Sequence, residues 1–378
     1  MPGSPDLSQD IIARCEALGF AIAGICDARP SDHAADFRAW LAAGKHSSMT
    51  YLADLADTRL DPRRVMPDVR SIIVVADRYA PRTPPEPEPA HDTFASPAPA
   101  EPQGIIARYA RGRDYHDVIK RRLHHLADQL RAELPGSEFR TVVDSAPVME
   151  REHAARAGVG WVGKHTLILH PRLGSWFLLG CILTNLPLPP TLADPTSDSL
   201  PDHCGTCTRC IDACPTSAIT ERSVDASRCI SYLTIERELP IDPAFFVPIG
   251  DRIFGCDVCQ EVCPFNTRPD ALSPTQDAPF SAYAPRQSFF PLLEILGWSQ
   301  SDRSHALGPT ALKRASLEMF KRNALIAAGN ALRTQDHAPL RTRIHELAHD
   351  PAEPELVRLT AQQVLANLQS TNSNDAPR

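Results

Sequence analysis

Residues 202–215 read DHCGTCTRCIDACP, and residues 255–264 read GCDVCQEVCP. The first stretch places Cys204, Cys207, Cys210 and Cys214 in the spacing C-x2-C-x2-C-x3-C-P; the second places Cys256, Cys259 and Cys263 in C-x2-C-x3-C-P. Thiolates so spaced point from successive turns of backbone at one cubane of iron and sulfide. In such runs the fourth cysteine serves the other cluster. Two four-iron clusters need eight thiolates, and the two runs supply seven. Cys229, in RCISYLTIE (228–236), lies between them and completes the set. The expected ligand sets are Cys204, Cys207, Cys210 and Cys263 for one cluster, and Cys214, Cys229, Cys256 and Cys259 for the other. Tetrahedral zinc would explain four cysteines, not eight crossing in this pattern. The plain alternative for Cys229 is a buried structural thiol.

Outward from these runs, the chain has 378 residues, 43% of them hydrophobic, and a formal net charge of −7. That is enough for two or three domains. No apolar run is long enough to cross a membrane. MPGSPDLSQD, at the start, has no basic patch, twin arginine or apolar signal segment. Eleven cysteines without an export signal imply a reducing, cytoplasmic setting and metal ligation, not a disulfide framework. Cys15, Cys26 and Cys181 sit in apolar contexts and read as core. The negative balance argues against indiscriminate nucleic-acid binding. Local basic faces remain available at Arg108, Arg111 and Arg113, at Lys120, Arg121 and Arg122, and at Lys313, Arg314, Lys321 and Arg322. Each group also fits a solvated helix surface. Without a clear dimer seam, a monomer is expected.

Before the clusters, an amphipathic helix is predicted over residues 7–19, with Ile11, Ile12, Cys15 and Leu18 on one stripe. A buried strand is predicted at SIIVVADRYA (71–80), in an α/β or α+β rhythm. Residues 81–103 hold eight prolines and read as a mobile surface loop. A long basic helix follows, then TVVD (141–144), a turn and a helix. The stretch 158–185 reads as a Gly-rich turn and two strands joined by a hairpin through Pro171 to Gly174. After the clusters come long helical patterns, the last one broken at Pro351 to Pro354, which suggest one or two HEAT-type repeats. The expected division is an α+β or α/β domain over 1–195, a ferredoxin-like double-cluster domain over 196–275, a helical HEAT-like region over 290–370 and a disordered tail over 371–378.

Asp144 ends an apolar strand at a sharp turn, where α/β folds place catalytic groups. The rival reading is a helix N-cap, since Asp followed by Ser, Ala and Pro starts helices well. Gly160, Trp161, Gly163 and Lys164 could let a large ligand approach the backbone, or make an ordinary tight turn. No dinucleotide fingerprint or nucleophile elbow is present. From spacing alone the chemistry reaches an iron–sulfur oxidoreductase.

Taken together, RYARGRDYHDV (108–118), VDSAPVMERE (143–152), GWVGKHTLIL (160–169), GSWFLLG (174–180), the cysteine runs, RCISYLTIE and KRNALIAAGN (321–330) resemble the epoxyqueuosine reductases, which complete queuosine synthesis on tRNA. The resemblance implies base-off cobalamin between the first domain and the cluster domain. It implies a tRNA substrate with an epoxide on its wobble base, and electrons from a donor of ferredoxin or flavodoxin type. It implies Asp144 as proton donor, and burial would then raise its pKa so that it holds a proton. By the same matching, Arg59, Asp144, Ile168, Leu179, Ser231, Cys256 and Asp257 would contact the cobalamin. Arg111, Arg113, Lys313, Arg314, Lys321 and Arg322 become candidate tRNA contacts. A corrinoid reductive dehalogenase is the nearest rival, although such enzymes usually carry a twin-arginine signal. A non-catalytic electron-transfer or tRNA-binding adaptor is the rival from another class.

Overall fold

The computed structural model describes residues 5–82, 101–192, 202–267 and 278–374. The expected Pro-rich loop lies almost wholly outside the described residues, as do much of the linker before the first cysteine run and residues 375–378 of the expected tail.

The N-terminal half supplies strands β1 (Ile22–Asp27), β2 (Ser71–Arg78), β3 (Gln103–Ile106), β4 (Phe139–Val142), β5 (Trp161–Val162), β6 (Ile168–Leu169) and β7 (Phe177–Thr184). Its main helices are α1 (Pro5–Ala17), α2 (Tyr115–Glu133) and α3 (Glu150–Arg156). Strands β1, β2, β7 and β4 form one sheet in that order, with every pairing antiparallel. The domain is therefore α+β, and the α/β alternative is corrected. β2 is buried along its whole length, because helices cover both faces of the sheet and successive side chains alternate between them. Ile73 and Val75 join Ile11 and Cys15 of α1 and Ile119 and Leu123 of α2 in the main core. Ile72, Val74 and Ala76 face the other way, into a second core with Ala154 and Ala155 of α3. Gly180 on β7 is what lets α2 lie this close. A Cβ there would stand 2.6 Å from Ile119 Cγ2 and 3.0 Å from Leu123 Cδ1.

The expected hairpin through Pro171 to Gly174 is half present. His170 and Gly174 bridge across the turn, but β6 pairs with β5, whereas β7 lies between β2 and β4. Both edges of β7 are taken by longer strands, so its sequence neighbour finds another partner.

A second sheet ties the segments together. β3 lies between β8 (Arg252–Phe254), to which it is parallel, and β9 (Phe289–Pro291), to which it is antiparallel. A strand from the first segment thus sits against the strand that leads into Cys256. Beyond the first cysteine run lies α4 (Ile230–Ile235), and the C-terminal part is built on α5 (Leu317–Ala331), α6 (Ala338–His349) and α7 (Glu355–Asn374). The first of the long helical patterns expected after the clusters breaks at Ala315, and Ser316 starts α5 by accepting the Met319 N–H at 3.2 Å. α5 is buried from Met319 to Gly329, which a helix covered on all sides requires. The Pro351–Pro354 break separates α6 from α7 as expected, and α7 continues to Asn374, into the stretch expected to be disordered.

Candidate active site and cluster sites

The eight expected ligands fall into two groups by the charge each thiol senses from its neighbours. Cys263 and Cys210 both sense Cys204 and Cys207. Cys229 senses Cys214, Cys256 senses Cys229, and Cys259 senses both Cys256 and Cys229. Cys259 also senses Cys210, so the groups adjoin. Burial raises Cys256 to about 12 and Cys263 to about 11, so these thiols stay protonated until a cation draws the proton off. Among the described residues, no three Cys, His, Asp or Glu side chains converge closely enough to hold a single metal ion. A tetrahedral zinc would need its sulfurs within about 4 Å of one another. Cys15, Cys26 and Cys181 are free and buried, in the two cores.

The arms carrying Cys229 and Cys256 are stitched together from outside. Asn323 on α5 donates to Thr234 O at the end of α4 and to Ile253 O of β8, both at 2.8 Å. Thr234 Oγ1 in turn accepts the Gly255 N–H at 2.9 Å. Arg322 donates to Leu233 O at 2.7 Å and Leu239 O at 2.9 Å, and also to Arg237 O. A guanidinium at these carbonyls satisfies acceptors that the end of α4 leaves open.

The second centre forms where the β4 exit meets the start of α2. α3 begins at Glu150 with Met149 before it, so Asp144 is not its N-cap. Asp144 instead adopts φ +54°, left-handed backbone that aspartate tolerates better than most residues. Glu150 Oε1 accepts its N–H at 2.7 Å and helps hold the turn. The carboxylate is 62% exposed, open to an incoming molecule. Tyr115 Oη donates to Asp144 Oδ2 at 2.8 Å, and His116 Nε2 lies 3.3 Å from the same oxygen. The other imidazole nitrogen, Nδ1, is 2.8 Å from Asp114 Oδ1, and Lys313 Nζ is 2.8 Å from Asp114 Oδ2.

The charge states invert the expectation for Asp144. Its pKa is lowered, mainly because His116 hydrogen-bonds the carboxylate; burial opposes this and Tyr115 reinforces it. For His116, burial disfavours the charged ring, but hydrogen bonds to Asp114 and Asp144, with their charges, raise it to about 9. Glu150 is half-buried and ringed by protein. Desolvation, then the charge of Asp144, push it up to about 8. Arg59 lies in the same field. Burial lowers its pKa, while Tyr51, Glu150 and Asp144 pull it up. Its buried Nε has no hydrogen-bond partner among the described residues. Asp114, Tyr115, His116 and Glu150 were not singled out in the sequence. The available signal was their crowding, as D-Y-H and E, inside the two motifs that flank Asp144.

Several expected contacts are placed elsewhere. Arg322 is fully buried, Lys321 is buried against Glu353 at 2.7 Å, and Arg111 is buried and donates to Ile106 O at 2.9 Å. None of the three presents a cation to RNA. Arg122 is also committed, paired with buried Asp77 between the rings of Phe20 and Phe280. Arg113, Lys313 and Arg314 are exposed, the last held by Glu236 at 2.8 Å. Ile168 and Asp257 are almost fully buried, and the Asp257 carboxylate already accepts the Arg108 N–H at 2.7 Å. Leu179 and Ser231 keep partly open surfaces, and Ser231 hydrogen-bonds Cys229. At Gly160 a Cβ would stand 2.2 Å from Leu169 O, so protein backbone, not a ligand, fills that approach. Lys164 is buried and donates to Gly205 O at 2.7 Å.

Comparison with known proteins agrees with this geometry. Residues 59–145 match the family model described as "Epoxyqueuosine reductase QueG, DUF1730", and residues 203–266 match a "4Fe-4S double cluster binding domain". The epoxyqueuosine reductase of Pseudomonas aeruginosa is 39% identical over 334 residues, 87% of each chain. A crystal structure of epoxyqueuosine reductase with an epoxyqueuosine-modified tRNA-Tyr stem loop superposes with a TM-score of 0.79 at 26% identity, covering 99% of this chain and 95% of the other. The Bacillus subtilis epoxyqueuosine reductase, described with its catalytic aspartate loop swung out of the active site, gives 0.77 at 26% identity, covering 98% and 95%. With its double-cluster module, its α+β sheet and this extent of identity, the chain belongs to the epoxyqueuosine reductase family.

Proposed function

We infer that this protein reduces epoxyqueuosine in tRNA to queuosine. The observation that carries the reading is the joining, in one fold, of two groups of four thiols and an open carboxylate held by Tyr115 and His116. Likeness to a relative crystallised with an epoxyqueuosine-modified stem loop supports tRNA as the substrate. The reaction takes two electrons and two protons, breaks both epoxide C–O bonds and releases water.

The two thiol groups would hold two [4Fe-4S] clusters, whose potentials a protein can set over roughly −700 to +450 mV. Cobalamin would sit beside Asp144; the support is the buried Arg59 Nε, which finds no hydrogen-bond partner among the described residues. Arg59, Leu179, Ser231 and the Cys256 edge would hold it, and Tyr51, exposed and within the field of Asp144, adds aromatic surface. When bound, cobalamin would supply the low-potential electrons that open the epoxide. Asp144 then delivers a proton to the departing oxygen. Because Asp144 is ionised at neutral pH, that proton comes through it from His116, which carries one up to about pH 9. Arg113, Lys313 and Arg314 lie exposed for the RNA backbone. The C-terminal helices would act as a HEAT-like support, and a ferredoxin or flavodoxin would feed the clusters.

The test is anaerobic purification with cobalamin, quantified iron, sulfide and cobalt, and an assay on epoxyqueuosine-containing tRNA. About eight irons and one cobalt per chain, with loss of one oxygen from the nucleoside by mass, are expected. A full complement of iron with no cobalt and no turnover would leave an electron-transfer adaptor.

A further inference from the structure

Trp161 carries a buried indole N–H with no hydrogen-bond partner among the described residues, and its side chain is only 1% exposed. An indole nitrogen can only donate, so burial without an acceptor is a standing penalty unless a bound group supplies one. The company it keeps narrows the choice. Trp161 packs in a small, separate core with Leu169, Cys263, Cys204 and Phe265. Of these apolar neighbours, only the two cysteines offer acceptor atoms, and the nearby His203 ring takes no hydrogen bond from the indole. Both belong to the group formed with Cys207 and Cys210. The rings of Phe265 and His203 meet the indole edge-on at 5.0 and 4.9 Å and hold it in place. The adjacent β5–β6 pairing fixes the backbone behind it, with Gly160 backed against Leu169 O.

We propose that Trp161 Nε1 donates a hydrogen bond to sulfur of the cluster held by Cys204, Cys207, Cys210 and Cys263, and thereby sets its reduction potential. The inference rests on the two-cluster reading given above. Reduction adds one electron to the cluster and increases the negative charge on its sulfurs. A donor aimed at them stabilises the reduced form and raises the potential. Trp161 is a tuning residue: it takes no part in the bond changes at the epoxide.

The experiment uses the reconstituted full-length holoprotein as wild type, as W161F, and with 3-benzothienylalanine at position 161. The last keeps the shape of the indole but replaces N–H with sulfur. Iron content and both midpoint potentials are read by EPR-monitored titration. Both variants are expected to keep the wild-type iron. One of the two reduction steps should become about tenfold less favourable, which is about 59 mV more negative for one electron, while the other stays put. Electron–nuclear double resonance of the reduced wild type before and after D2O exchange should show an exchangeable proton coupled to that cluster and missing from the benzothienyl variant. Unchanged potentials and an unchanged proton spectrum at full iron content overturn the proposal. If W161F loses iron through poor packing, the benzothienyl variant and the wild-type proton spectrum decide. A wild type that takes up no iron would sink the two-cluster reading itself, an outcome distinct from unchanged potentials.

Discussion

His116 and Asp144 form an ion pair at 3.3 Å in which the proton resides on the histidine, not on the exposed acid. The pair reverses what a buried carboxyl would do. The open carboxylate is the acceptor of two donors, and Asp114 on the far side of the ring anchors the charge.

A pH limb follows from this pair. The His116 pKa is raised from its ordinary 6.5 to about 9 in the folded protein. Its stabilising contribution is complete below pH 6.5 and is lost as pH rises through about 9. Turnover should therefore fall across the same upper window, under saturating tRNA and reductant. H116Q should abolish that limb and slow turnover at least ~10-fold. A rate that stays flat from pH 7 to 10 in the wild type would remove His116 from the proton path.

Replacing the carboxylate should separate chemistry from binding. D144N keeps the shape and the left-handed turn but cannot pass a proton. A loss of about 10²–10⁴-fold in turnover is expected, with iron, cobalt and tRNA affinity retained. Wild-type rates in D144N would favour the adaptor reading.

Cys229 offers a count rather than a rate. C229S should reduce the iron from about eight to about four per chain, since one cluster loses a ligand. The EPR signal of the other cluster should persist. Full iron in C229S, with lowered stability only, would make Cys229 a structural thiol.

Two arginines drawn from the same list of basic candidates should behave oppositely. R322A removes charge-assisted bonds to buried carbonyls and should destabilise the fold by about 3 kcal/mol, read by denaturant unfolding. R113A lies exposed and should leave stability alone while lowering the salt dependence of tRNA binding by about one phosphate contact. Equal effects of both on RNA affinity, at equal stability, would argue against this division.

The sequence by itself determined what local spacing and covalent order can determine. Cysteine intervals joined Cys204, Cys207 and Cys210, and Cys256 and Cys259, because a short loop fixes which sulfurs can meet, while the crossing of Cys214 and Cys263 was read from the known pattern of such runs. Apolar runs located β2, α1 and the helices after residue 316, since period and burial go together. The Pro351–Pro354 break was readable because proline cannot continue a helix. What only the tertiary structure decided depends on partners distant in the chain. The antiparallel order β1–β2–β7–β4 and the insertion of β3 between β8 and β9 rest on pairings that no local pattern encodes. Arg322 and Arg113 look alike as letters, and burial alone separates a clamp on the cluster frame from a free surface cation. The charge on Asp144 was beyond the sequence for the same reason. It is set by an imidazole 28 residues away, brought to 3.3 Å by α2 packing on a sheet that Gly180 leaves open. Electrostatic influence falls with distance in space, and only the fold converts separation along the chain into separation in space.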